Sequence, residues 1–235
     1  MNAQFILHEL LSVADAERAA FLRGYFKTGK GQYAEGDVIL GVTAPVLRDI
    51  VKHAPPMPFA EVQALLDSKY HEARLAGLLC LVGMFKKAKE AAKQREIFDF
   101  YLQNTRSINN WDLVDISCRD IIGAYLLDKA DRSILYRLAE SGDLWEQRIA
   151  LVSTWMLIKH RQFDDTLKLA ALLLNHRHDL IHKAIGWMLR EVGKKDKDTL
   201  VEFLEKHHRQ MPRTALRYAI ERFLPEERTY FMKLT

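Results

Sequence analysis

Apolar residues recur along this chain at the spacing of one helix face. Residues 58–67 open on Pro58, which suits a first turn, and carry Phe59, Val62, Leu65 and Leu66 three and four apart. The same spacing predicts helices over 70–87, 94–103, 111–127, 131–139, 144–160, 163–174, 178–192 and 196–207. Short polar joints separate them, at 104–110, 128–130, 141–143 and 193–196. No stretch alternates cleanly between turn dipeptides, so strands are not expected. Residues 24–45 break the pattern. They hold five of the eleven glycines and read as an irregular loop with a short extended piece at 38–42.

The predicted helices also repeat. Arg74-x-Ala76, in HEARLAGLLCLVGMFKK, and Arg148-x-Ala150, in WEQRIALVSTWMLIKH, lie 74 residues apart, or two periods of 37. The helix beginning at Trp111 occupies the middle slot, and HKAIGWMLREVGK follows about 35 residues after the last. A period in the high thirties with two helices per unit is the size of a HEAT-like repeat. Such pairs bury their faces only by stacking, so the expected fold is all-α: a right-handed superhelical solenoid forming one domain over 1–235.

Composition supports this reading. Eleven glycines and six prolines in 235 residues are too few for a turn-rich sandwich or barrel. Two cysteines exclude a disulfide framework and point to a reducing compartment. The longest apolar run, 75–85, is eleven residues, against the roughly 20 that a membrane span needs. His8 and Glu9 interrupt what would be the apolar region of a signal peptide. The chain therefore reads as cytoplasmic, without a membrane segment. A net charge of +4 permits nucleic-acid binding without demanding it.

Several motifs are set aside. Gly24–Gly31 resembles a phosphate-binding loop, but Gly31 stands where the magnesium-binding hydroxyl belongs, so a flexible basic loop is expected. His176, His178 and His182 lack a completing Cys or carboxylate, as do His207 and His208, so no metal is expected. Cys80 and Cys118 both read as small core residues.

A stronger constellation begins at Asn109-Asn110-Trp111-Asp112-Leu113-Val114-Asp115. Trp111 and Asp115 are four apart and share a helix face, while Asp112 points elsewhere and suits the first turn. Arg148 follows Trp111 by 37 residues, and Trp187 follows Arg148 by 39. In a stacked array, equivalent positions line one surface. Trp145 and Trp155 need no such role and are assigned to the core.

At these residues the chain resembles the AlkD-like family of DNA alkylation-repair glycosylases. The most specific stretches are WDLVD at 111–115, LWEQRIA at 144–150 and KAIGWMLREVGK at 183–194. The likeness extends from ILGVTAPVLR at 39–48 to MPRTALRYAIERF at 211–223. The resemblance implies HEAT-like repeats that hold duplex DNA. It also implies a monofunctional glycosylase that releases cationic alkylpurines, chiefly N3-methyladenine and N7-methylguanine, without flipping the base. Asp115 matches the catalytic aspartate. Trp111 and Trp187 match the tryptophans that enclose the damaged nucleotide, and Arg148 matches an arginine of the same site. Arg148 is assigned to DNA contact, together with Lys183 and Arg190 of the KAIGWMLREVGK stretch. Thr43 departs from the glutamine some members carry. The implied partner is double-stranded DNA with alkylated bases, with no cofactor and a monomeric state. The alternative is a non-catalytic HEAT-repeat module that binds branched or distorted DNA.

Overall fold

The structure is a computed structural model that describes residues 2–53 and 57–233. The described residues are helical almost throughout. They contain no strand beyond an isolated parallel bridge between Val38 and Tyr70. The chain divides into two compact units, one ending at Ile121 and one beginning at Ile122.

In the first unit α1 (Ala3–Ser12), α2 (Ala16–Tyr25) and α3 (Ala44–Lys52) precede α4 (Phe59–Leu66), α5 (His71–Lys87), α6 (Ala91–Gln103) and α7 (Trp111–Cys118). The central helix is α5, against which α1, α3, α4, α6 and α7 all pack. Its sequence is apolar nearly all round, and a helix of that kind is stable only when surrounded. Leu78 and Leu81 of α5 are fully buried, together with Ile6, Leu65, Ile97 and Leu113 from its neighbours.

A π-helical stretch, Arg119–Gly123, lies inside the segment 111–127 that spacing alone predicts as plain helix. The second unit then holds α8 (Ala124–Leu126), α9 (Ser133–Glu140), α10 (Leu144–Lys159), α11 (Asp164–Leu173) and α12 (Asp179–Lys195). It ends with α13 (Lys197–His207), α14 (Arg213–Ala219) and α15 (Pro225–Lys233). Two helices organise it. α10 packs on α8, α9, α11 and α12, and α12 also packs on α11, α13 and α14.

Two expectations about boundaries are corrected. Gly193 does not open a joint, because α12 continues through it to Lys195. A β-carbon at Gly193 would lie 2.4 Å from Leu200 Cδ2, so this glycine serves close approach to α13 rather than a break. The irregular stretch is also shorter than 24–45, since Tyr25 still belongs to α2 and Ala44 already to α3. Inside it the expected extended piece reduces to Val38, whose N–H donates to Lys69 O at 3.2 Å and whose carbonyl accepts from His71 N at 2.9 Å.

Candidate functional site

α7 starts at Trp111 because the extended backbone of Asn110 stops the chain there and its Oδ1 accepts from Trp111 N at 2.8 Å. Trp111 and Asp115 then fall on one half-buried arc of the helix. Leu113, Val114, Ser117 and Cys118 fill the buried arc. The Tyr101 hydroxyl pairs with Ser117 Oγ at 2.9 Å beneath α7. Burial holds the Tyr101 phenol well above its ordinary pKa, and the charge of Asp115 adds to that effect.

Asp112, three residues before Asp115, faces inward. Its Oδ2 accepts from His71 Nε2 at 2.8 Å, and His71 Nδ1 lies 3.5 Å from Asp37 Oδ2. The Arg74 guanidinium reaches the same Asp37 oxygen at 2.7 Å, Asn109 Oδ1 at 3.0 Å and Ser68 O at 2.9 Å. Asn109 Nδ2 donates to Asp37 Oδ1 at 3.0 Å. Two carboxylates and two cations thus neutralise one another in a site where an unpaired charge would be prohibitive. Burial alone would pull the imidazole down, but its bonds to Asp112 and Asp37 outweigh this and raise His71 to about 9. His71 is therefore an imidazolium at neutral pH, and both ring nitrogens donate. Burial would push Asp37 up, yet the bond from His71, the charge of Arg74 and the bond from Asn109 hold it below the usual carboxylate range.

The same network fixes the irregular segment. Glu72 is buried and accepts from Leu40 N at 2.9 Å and Gly41 N at 2.8 Å. Gly41 has φ +83°, and a β-carbon there would sit 2.3 Å from Asp15 O, so only glycine fits this turn. The segment in turn brings aromatic rings to α7. Phe26 lies over His71 with ring centroids 4.7 Å apart and reaches Trp111 at 5.7 Å. Tyr25 meets Trp111 edge-on at 5.8 Å and remains exposed. Trp111 therefore stands as one wall of an aromatic cluster with a charged floor.

In the second unit Lys183, Trp187 and Arg190 lie four and three apart on one face of α12, all half-buried. Lys183 Nζ pairs with Asp179 Oδ2 at 2.7 Å, and Arg190 pairs with Glu221 between α14 and α15. Arg148 is only 5% exposed, and its NH1 donates to Leu180 O at 2.6 Å, which ties α10 to the first turn of α12. Arg74 and Arg148, the repeated pair, are thus both buried near the starts of long helices and both bond a backbone carbonyl. Lys183, one repeat further on, is not buried in this way.

Two of the histidines that invited a metal reading, His176 and His178, have capping roles. His178 Nδ1 accepts from Leu180 N at 3.2 Å as the cap of α12. His176 Nδ1 accepts from His178 N at 3.0 Å, and His176 Nε2 pairs with Gln147 Oε1 at 2.9 Å. Burial holds both imidazoles below their ordinary range, which suits nitrogens that must accept. Among the described residues no group of His, Cys, Asp and Glu is arranged to hold a metal ion. Cys118 is buried as expected, but Cys80 is only half-buried and lines a cavity.

The structure thus brings Trp111 and Asp115 together on α7, and Lys183, Trp187 and Arg190 together on α12 above Arg148. Sequence reasoning missed the Asp37–His71–Asp112–Arg74 network and the rings of Tyr25 and Phe26. A signal was present: His71-Glu72-x-Arg74 sets three ionisable side chains at the head of the longest apolar run.

No described helix is long and apolar enough to cross a membrane. No curated protein sequence gives a significant match. The fold is similar to a solved structure described as a predicted DNA alkylation repair enzyme from Enterococcus faecalis. The TM-score is 0.68 at 19% identity, covering 90% of this chain and 97% of that one. The sequence profile of the DNA alkylation repair enzyme family matches residues 6–223. Nearly the whole chain, including both clusters of candidate residues, lies within that match, and the protein belongs to the DNA alkylation repair enzyme family.

Proposed function

We propose that the protein is a monofunctional DNA glycosylase that hydrolyses the N-glycosidic bond of cationic alkylpurines, N3-methyladenine and N7-methylguanine, in duplex DNA. On this reading it is a cytoplasmic monomer of one helical-repeat domain and uses no cofactor. The observation that carries it is the pairing of Trp111 and Asp115 on a half-buried arc of α7, above a first turn already held by buried charge. Alkylation at N3 or N7 makes the base a neutral leaving group, and the sugar gains oxocarbenium character as the bond breaks. The Asp115 carboxylate stabilises that cation and orients the attacking water. The negative face of Trp111 contacts the polarised sugar, and Trp187 lies with Lys183 and Arg190 on the α12 face assigned to the DNA backbone. Lys183 and Arg190 hold phosphates, and Arg148 supports the start of α12 from which they project. Nothing in this scheme requires the base to leave the stack.

The test is incubation with duplex that contains N7-methylguanine, with chromatography of the released base. Wild-type protein releases it and Asp115→Asn does not. Equal release by the variant removes Asp115 from the chemistry. Salt-sensitive binding to branched DNA with no release by wild type replaces the enzyme with a non-catalytic binding module.

A further inference from the structure

The first unit contains a second feature that the proposed chemistry leaves unused. A cavity of about 760 Å³ opens between the end of α3, the start of α4, the outer face of α5 and α6. That volume lies within the several hundred Å³ typical of small-molecule sites. Its walls are apolar, formed by Val51, Met57, Phe59, Leu79, Met84 and Ile97 among others. The charged residues that line it are Lys52, Lys87 and Lys93, and no carboxylate is among the lining residues.

The lysines are not equivalent. Lys93 pairs with Glu96 at 2.7 Å and lies 4.8 Å above the Phe59 ring. Lys52 and Lys87 are exposed and make no ion pair among the described residues. Both line the cavity and both are exposed, the arrangement in which a lysine stem covers apolar surface while its ammonium stays in water. Cys80 contributes to the wall, with its Sγ 4.0 Å from Met57 Sδ. Burial pushes this thiol up to about 11, so it is an apolar surface and not a nucleophile. Gly83 lies at the centre of the α5 wall, and a β-carbon there would meet nothing within 4 Å.

We infer that this cavity binds, non-covalently, a small amphipathic anion: a long-chain carboxylate whose alkyl tail fills the apolar hollow and whose headgroup meets Lys52 and Lys87. The lysine edge selects against a neutral headgroup, and the concave volume fits one chain rather than an extended protein surface. None of the lining residues belongs to the Trp111–Asp115 cluster, so the inference stands apart from the glycosylase reading.

The experiment is titration of the full chain with dodecanoate below its micelle concentration, followed by calorimetry, with dodecanol and acetate as companion probes. Saturable binding at one site is expected, roughly tenfold weaker for the alcohol and undetectable for acetate. Gly83→Phe fills the hollow and abolishes binding, and Lys87→Glu weakens it roughly tenfold. Thermal melting at or above the wild-type temperature shows that Gly83→Phe is folded. Equal affinity for acid and alcohol, unchanged binding to a folded Gly83→Phe protein, or absence of saturable binding overturns the proposal. So does wild-type self-association that Gly83→Phe removes, which would assign the hollow to a second copy of the chain.

Discussion

Asp112 Oδ2 accepts a hydrogen bond from His71 Nε2 at 2.8 Å, which joins the first turn of α7 to the first turn of α5. Through this bond the helix that presents Trp111 and Asp115 is fixed to the central helix of its unit. The bond is charged, so its strength depends on pH. The folded protein holds His71 at about 9, above the ordinary imidazole value of about 6.5. Its stabilising contribution is complete below about 6.5 and is lost as pH rises through about 9. The melting temperature of wild type should fall by several degrees between pH 7 and 9.5 relative to His71→Gln, which keeps a polar group without the charge. Parallel slopes for the two proteins would falsify the imidazolium assignment.

Two glycines on long helices predict opposite outcomes of the same substitution. A β-carbon at Gly186 would lie 2.4 Å from both Ala215 O and Tyr218 Cβ, where α12 crosses α14. Gly186→Ala should cost about 1–3 kcal/mol as the helices are forced apart. Gly83→Ala meets open space and should gain up to about 1 kcal/mol from helix propensity. Denaturant unfolding of the two variants measures both signs.

Arg148→Met keeps much of the side-chain volume but removes the donor to Leu180 O. A part-buried hydrogen bond from a charged donor contributes about 1.5–3 kcal/mol. The loss should appear locally, as faster amide hydrogen exchange across residues 176–182, before global unfolding changes. Unchanged exchange there, in a folded variant, removes Arg148 as the brace of α12.

The DNA reading makes a separate prediction through ionic strength. If Lys183 and Arg190 each neutralise a phosphate, replacement by Ala should reduce the slope of log affinity against log salt by about 0.9 per residue. Asp179→Asn removes the carboxylate charge 2.7 Å from Lys183 Nζ and should tighten binding. A salt slope indifferent to all three variants separates this face from the DNA.

Much of this architecture is legible in the chain, and the exceptions lie towards its two ends. The helices α4 to α6 and α9 to α13 follow the apolar spacing to within a few residues at each end, and the span 111–127 resolves into α7, the π-helical stretch and α8. α1, α2, α3, α14 and α15 lie outside the spans that spacing predicts. α2 and α15 each bury a single residue, Ala19 and Phe231, and leave little stripe to detect, whereas α1 and α14 bury three residues each. The shared face of Trp111 and Asp115 is legible because it is local, four residues along one helix. The charge network is not, since Asp37, His71 and Asp112 are brought together by folding from positions 34 and 41 residues apart. Spacing also does not distinguish a buried repeat position such as Arg148 from a half-exposed one such as Lys183.

The glycine-rich stretch between α2 and α3 holds two regimes. Residues 27–36 are mostly exposed and turn upon themselves, as in the bond from Ala34 N to Lys27 O at 3.2 Å. From Asp37 to Gly41 the chain is held by Arg74 at the Asp37 carboxylate and by His71 and Glu72 along the backbone. A peptide tag spliced beside Lys30 would extend into solvent and leave the molecule intact. A single extra residue between Asp37 and Gly41 would slide every anchor off its partner, so the tolerance of this loop to insertion should change abruptly within about six positions.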